Sequence, residues 1–163
     1  MSMDVQTIKK DRLRFTKDKF PANLLLLAIV FDCLYFVSIY QSDVGTFFYN
    51  WLIGVSIIYN LVFLLAAFLG SESVKNRKPG YTGVLLALGV GQIIRVFILP
   101  AKAHAATVLV NGVEIVVMGN GQYLYCIACL IISAVCCVAA ALISAKNNKT
   151  LADYMKTIET KAA

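Results

Sequence analysis

The chain has 163 residues, of which 60% are hydrophobic, and its mean hydropathy is +0.75. Because soluble domains are close to half apolar, this composition excludes an ordinary soluble domain and predicts a protein embedded in a lipid bilayer. The formal net charge is +6, but most cations lie outside the apolar blocks and are not interleaved with aromatic residues. The charge therefore indicates membrane orientation and excludes a nucleic-acid-binding module.

Residues 1–20 form a mixed-charge, mainly basic segment that we expect to be a cytoplasmic tail. The first apolar block, 21–40, contains Asp32 and lacks a small-residue cleavage site after it. These features predict a retained span and not a cleavable signal. Pro21 suits the first position of the helix, where its missing N–H group is no loss.

Three further apolar blocks cover 46–69, 81–99 and 122–145. Each is close to the ~20 residues that a helix needs to cross the hydrocarbon core. The short turn 41–45 predicts that the first two spans form a tight antiparallel hairpin, and Pro100 should end the third span. The predicted fold is an all-α membrane protein, a bundle of four transmembrane helices.

Polar residues inside the spans are the candidate site. Asp32 in the first span and Arg95 in the third lie at similar predicted depths, and a buried charge in a membrane needs a partner or a function. We expect the two to pair, the alternative being that Arg95 extends to the outer interface. Gln92, Asn60 and Ser56 are the other candidates, either as hydrogen bonds between helices or as the wall of a polar cavity.

Small residues precede Arg95 at intervals of four: Gly83, Ala87 and Gly91. Small residues at this spacing allow another helix to approach closely. We therefore predict a helix-packing seam on the third span, with Arg95 at its end.

The loop 101–120 is predicted to lie outside the cytoplasm and to contain a β-hairpin. Asn111 and Gly112 give the strongest two-residue turn signal, which pairs Val110 with Val113. This register places apolar residues on one face, which would cap the helix ends or lie against the membrane or a partner. The residues of that face are Val108, Val110, Val113, Ile115 and Val117.

The fourth span contains Cys126 and Cys129 in a C-x-x-C arrangement that is typical of thiol–disulfide enzymes. Four spans with this motif near the outer end of the last one resemble the vitamin K epoxide reductase family, which implies membrane thiol chemistry. That family also has a cysteine pair between its first two spans, and the turn 41–45 has no cysteine. The preferred interpretation is that Cys126 and Cys129 belong to a stripe of small packing residues.

The segment 146–163 is predicted to be a separate amphipathic cytoplasmic helix, with Thr150 as its N-cap. Lys and Arg are frequent in 1–20, in the turn before the third span and in 146–163, and Lys102 alone lies on the opposite side. Both termini are therefore expected in the cytoplasm of a multi-pass cell-membrane protein.

The sequence predicts no cofactor, and His104 in the loop lacks the neighbours of a metal ligand and should be solvated. With no catalytic motif recognised, we expect an accessory, assembly or regulatory subunit of a larger membrane complex such as a transporter. Partner subunits or self-association are implied. The alternative is a small oligomeric transporter or channel with Asp32 and Arg95 on its pathway, and an oxidoreductase that uses Cys126 and Cys129 is a third interpretation.

Overall fold

The computed structural model describes residues 16–42, 44, 51–78 and 80–162. Its elements in chain order are α1 (Lys19–Tyr40), α2 (Trp51–Lys75), α3 (Tyr81–Ile98), α4 (Pro100–His104), β1 (Thr107–Val110), β2 (Val113–Val116) and α5 (Asn120–Ala162). In this part of the chain four helices are long and apolar enough to cross a membrane, α3 being counted together with α4. The four predicted spans are thus confirmed as helices of sufficient length.

The helix ends differ from the predicted limits in three places. α1 begins at Lys19, so Pro21 lies inside the first turn and not at its first position; the amide of that position has no intrahelical acceptor, so the proline is still tolerated. α2 continues beyond the predicted 46–69 to Lys75, whereas residues 43 and 45 of the turn and residues 46–50 fall outside the described residues. α3 ends at Ile98, and Pro100 then opens the short α4.

α5 is one continuous helix from Asn120 to Ala162, which corrects the expectation of a separate helix in 146–163. No glycine or proline interrupts the segment after Ala145. Thr150 Oγ1 donates to the carbonyl oxygen of Lys146 at 2.9 Å, the bond of a threonine within a helix and not that of an N-cap.

The β-hairpin is confirmed in its register, with Val110 opposite Val113. Asn111 (φ 53°) and Gly112 (φ 81°) both have the positive φ that a two-residue hairpin turn requires. Val117 is buried and donates its backbone N–H to the Ala106 carbonyl at 3.1 Å, which continues the pairing at the open end of the hairpin. Val113 is 63% exposed, so the apolar face of the hairpin is only partly covered.

The helices form a ring in which α5 packs against α1 and α3, and α2 packs against α1 and, less extensively, against α3. α1 and α2 are antiparallel: Ser71 Oγ donates to Ala22 O at 3.2 Å near one end, and the Tyr40 hydroxyl donates to Ile53 O at 3.4 Å near the other. α1 and α3 face each other diagonally, so only long side chains can meet across the centre.

The core consists of two apolar clusters. The hairpin-side cluster comprises Tyr35, Ile39, Val44, Val96, Leu99, Ala103, Val117, Met118, Cys126, Cys129 and Leu130. The tail-side cluster comprises Leu25, Ala28, Phe63, Ala67, Val74, Leu85, Cys136, Cys137, Ala140 and Ala141. On α1, α3 and α5 a buried polar residue lies between the positions of the two clusters along the chain. On α2, Asn60 lies between Ile53, which packs against the hairpin-side cluster, and Phe63 of the tail-side cluster. Along the axis of the bundle, the core therefore consists of an apolar layer, a polar layer and a second apolar layer.

Candidate functional site

Asp32 and Arg95 meet at the centre of the bundle. Arg95 Nη1 lies 2.6 Å from Asp32 Oδ1, and the two residues are 0% and 3% exposed. Both lie about 20 Å from the start of their helices at 1.5 Å per residue, so the stem of Arg95 reaches across the bundle instead of toward an interface. The structure places the two residues as an ion pair enclosed by helices.

Two amides hold this pair in place. Gln92 Nε2 donates to Asp32 Oδ1 at 2.9 Å and lies 3.3 Å from Ser133 Oγ, and Ser133 in turn donates to the Ala28 carbonyl at 3.1 Å. Arg95 Nη2 donates to Asn60 Oδ1 at 2.6 Å. We call Asp32, Asn60, Gln92, Arg95 and Ser133 the polar layer; α1, α2, α3 and α5 each contribute to it.

Aromatic rings enclose the guanidinium group. Arg95 Cζ lies 4.4 Å from the centre of the Tyr35 ring and 5.1 Å from that of Tyr59. Rings at these distances stabilise a cation through their negative faces, and more so away from water. Tyr35, Tyr59 and Ser133 are not among the residues that the sequence predicts for the polar site. The spacing of Tyr35 three residues after Asp32, on the same helix face, was the available signal.

Several polar atoms around Arg95 have no hydrogen-bond partner among the described residues. Each such group costs about 1–3 kcal/mol when it is buried, so the layer has unused hydrogen-bonding capacity. Ser56, at 5% exposed, is one of the buried residues concerned. The atoms are Asp32 Oδ2, Tyr35 Oη, Ser56 Oγ, Tyr59 Oη, Gln92 Oε1 and Arg95 Nε.

The predicted seam of Gly83, Ala87 and Gly91 is not the surface of α3 that α5 approaches. Gly83 and Ala87 are exposed, and the glycine that α5 approaches is Gly89, where an added Cβ would lie 2.8 Å from Val138 Cγ2. Steps of four residues drift about 40° each around a helix, so a row at this spacing leaves the buried face. Gly91 contacts the Tyr59 hydroxyl of α2.

Cys126 and Cys129 lie in the hairpin-side cluster, and both are buried. All five cysteines of the chain are described and are free thiols. Cys126 Sγ lies 3.6 Å from Ser38 Oγ across the α1–α5 contact. This apolar setting is that of packing cysteines, and reactive thiols are usually partly exposed and close to positive charge.

His104 is not simply solvated, contrary to expectation. Its ring stacks on Tyr123 with centroids 4.3 Å apart, and Nδ1 lies 3.1 Å from the Met118 carbonyl oxygen. Among the described residues no group of three His, Cys, Asp or Glu side chains could hold a metal ion. The histidine thus helps to fix the hairpin on the end of α5.

No family model, curated protein or solved structure matches this chain. Its function must be inferred from the polar layer, the exposed surfaces and the distribution of charge.

Proposed function

We propose that this chain is an accessory, assembly or regulatory subunit of a larger membrane complex such as a transporter. The observation that supports this most is the closure of the polar layer: Asp32 and Arg95 neutralise each other inside one chain, with an apolar cluster on either side. A path for ions or solutes needs water or polar groups along its length. The charge pair acts as an internal clasp that fixes the bundle, which then presents its outer surfaces to others.

The hairpin supplies one such surface. Val113 and Ile115 lie on the predicted apolar face of the hairpin, and they are 63% and 37% exposed. A small hairpin with exposed apolar residues is stable when it packs on something, and a neighbouring subunit would provide this.

The proposed orientation places both termini in the cytoplasm of a cell membrane. Asp18 accepts a 2.6 Å hydrogen bond from Asn147 and donates its backbone N–H to Lys75 O at 3.0 Å. Residues 16–18, the end of α2 and the extension of α5 therefore lie at one end, and most of the Lys and Arg residues of the described chain belong to these segments.

The test is purification of the whole chain from its native membrane in a mild detergent, with quantitative mass spectrometry. We expect a second membrane protein in near-stoichiometric amount, lost in Val113→Lys and retained in Thr107→Lys. These two exposed residues lie on opposite faces of the same hairpin, so they form a matched pair. Recovery of the chain without a partner, with both variants unchanged, would contradict the subunit role.

The alternative function is a small oligomeric transporter or channel, and a cavity of about 180 Å³ beside Arg95 favours it. Purified protein in liposomes with an internal pH-sensitive dye distinguishes the two functions. A subunit should give no proton flux above empty liposomes, whereas a proton pathway should give flux that Asp32→Asn abolishes without loss of assembly.

A further inference from the structure

A cavity of about 180 Å³ lies between α2 and α3, the neighbouring helices with the least extensive contact. Its apolar wall is formed by Val55 of α2 and by Ile94, Ile98 and Leu99 at the end of α3. Engineered apolar cavities of about 150 Å³ hold one benzene molecule, so this space suits a single ring or a chain of similar volume.

The other end of the cavity is lined by Ser56, Tyr59 and Arg95. Ser56 and Arg95 are 5% and 3% exposed, and Ser56 Oγ, Tyr59 Oη and Arg95 Nε have no hydrogen-bond partner in the described part of the chain. The Nε group of arginine can only donate, and the two hydroxyls can donate or accept. These three atoms lie just behind the surface of the cavity, so an oxygen atom bound here would complete their hydrogen bonding after a small movement of the side chains.

The charge of Arg95 is already balanced. Nη1 is paired with Asp32 and Nη2 with Asn60, and the nearby carboxylate opposes a second negative charge. A bound anion would be desolvated without a free countercharge, so the cavity favours a neutral molecule.

We propose that this cavity binds a small, neutral, ring-sized molecule with a hydroxyl or carbonyl oxygen, its oxygen held by Arg95 Nε and the hydroxyls of Ser56 and Tyr59. The molecule is either a free aromatic compound or the head of a lipid-soluble one that enters between α2 and α3. Such a site goes beyond the subunit role, since it exists within one chain and does not need a partner.

Gly91 provides the variant that tests the site. An added Cβ at Gly91 would collide with the Tyr59 hydroxyl, so Gly91→Ala displaces a polar wall and narrows the cavity. Gly83→Ala is the matched control on the same helix, because an added Cβ there has no described atom within 4 Å. Ile98→Phe fills the cavity from its apolar end. If Gly91→Ala does not fold, the loss of binding in Ile98→Phe tests the site instead.

The experiment is ¹⁹F NMR titration of the full chain in detergent micelles, with empty micelles subtracted. The probes are 4-fluorophenol and 4-fluorotoluene, which has nearly the same shape but no oxygen. We expect saturable binding of 4-fluorophenol to the wild type and to Gly83→Ala, weakened about tenfold by Gly91→Ala or Ile98→Phe, and about tenfold weaker binding of 4-fluorotoluene. Circular dichroism should show unchanged helix content in each variant that is titrated.

Absence of saturable binding to the wild type, equal binding of the two probes, or undiminished binding to the filled variants would each overturn the proposal. Mass spectrometry of molecules that co-purify with the chain shows whether the natural ligand is a free small molecule or the head of a lipid-soluble one. Displacement of a neutral hydroxyl- or carbonyl-bearing lipid by 4-fluorophenol indicates a lipid head, and saturable probe binding without such displacement indicates a free small molecule.

Discussion

Asp32 and Arg95 owe their stability to their surroundings as much as to each other. Asp32 Oδ1 accepts from both Arg95 and Gln92, and Arg95 spans the bundle between the rings of Tyr35 and Tyr59. Each partner left alone would be a desolvated charge in a low-dielectric core. Replacement of both charged residues would leave only neutral polar side chains, which can rearrange their hydrogen bonds.

A double-mutant cycle follows from this arrangement. We expect Asp32→Asn and Arg95→Gln each to lower the free energy of unfolding by about 3–5 kcal/mol, because each leaves an unpaired buried charge. The double variant should lose less than the sum, by at least about 1 kcal/mol. Unfolding by SDS in mixed micelles gives these values, and effects that add to within about 0.5 kcal/mol would show that the pair contributes no coupling.

For individual residues, the charged and amide side chains of the site could be predicted from the sequence more readily than its aromatic rings and hydroxyl groups. Asp32 and Arg95 could be singled out because ionisable residues are rare in apolar runs, and Gln92 and Asn60 are nearly as conspicuous. Tyr35 had only its spacing from Asp32 as a signal and Ser133 had none, because tyrosine and serine are ordinary in membrane helices and their role depends on which helix faces them.

At the scale of elements, the ends of helices were the least predictable feature. Pro100 does end α3, as the missing amide and the bulk of its ring require. The prediction of Thr150 as an N-cap is wrong, because a capping residue does not start a helix where one already continues through Lys146 and Lys149. Gly83 and Ala87 of the predicted seam are exposed for a related reason, since a fixed spacing does not specify the face that is buried.

Thr150→Ala distinguishes a threonine within a helix from an N-cap. Because alanine has the higher helix propensity, we expect this variant to keep or slightly raise helix content and stability in α5, by up to about 0.7 kcal/mol. An N-cap would give the opposite result, a loss of about 1 kcal/mol. Hydrogen exchange of the amides that follow Thr150 is the measurement, and faster exchange in the variant would contradict a continuous helix.

For the whole molecule, the order of the helices around the ring determines which side chains meet in the polar layer. α5 is the last span in sequence, yet it packs between α1 and α3 and brings Ser133 to Gln92. The polar layer needs all four spans at matched depth, and no single span carries this information. Span number and length could be predicted from apolar run lengths, whereas the neighbours of each span depend on packing between surfaces that are nearly all apolar.

The orientation of the whole molecule is the last expectation that can be tested directly. Lys75 and Asn147 lie at one end through their contacts with Asp18, and Lys75, Arg77, Lys78, Lys146 and Lys149 belong to that basic end. An excess of Lys and Arg marks the cytoplasmic side. In intact cells a membrane-impermeant maleimide should therefore label Thr107→Cys at once and Lys146→Cys only after permeabilisation. The unmodified chain is the control: its five cysteines all lie in spanning helices and should react from neither side, because a thiol needs contact with water to ionise and react. Labelling of Lys146→Cys in intact cells, with Thr107→Cys protected, would reverse the topology and place the hairpin in the cytoplasm.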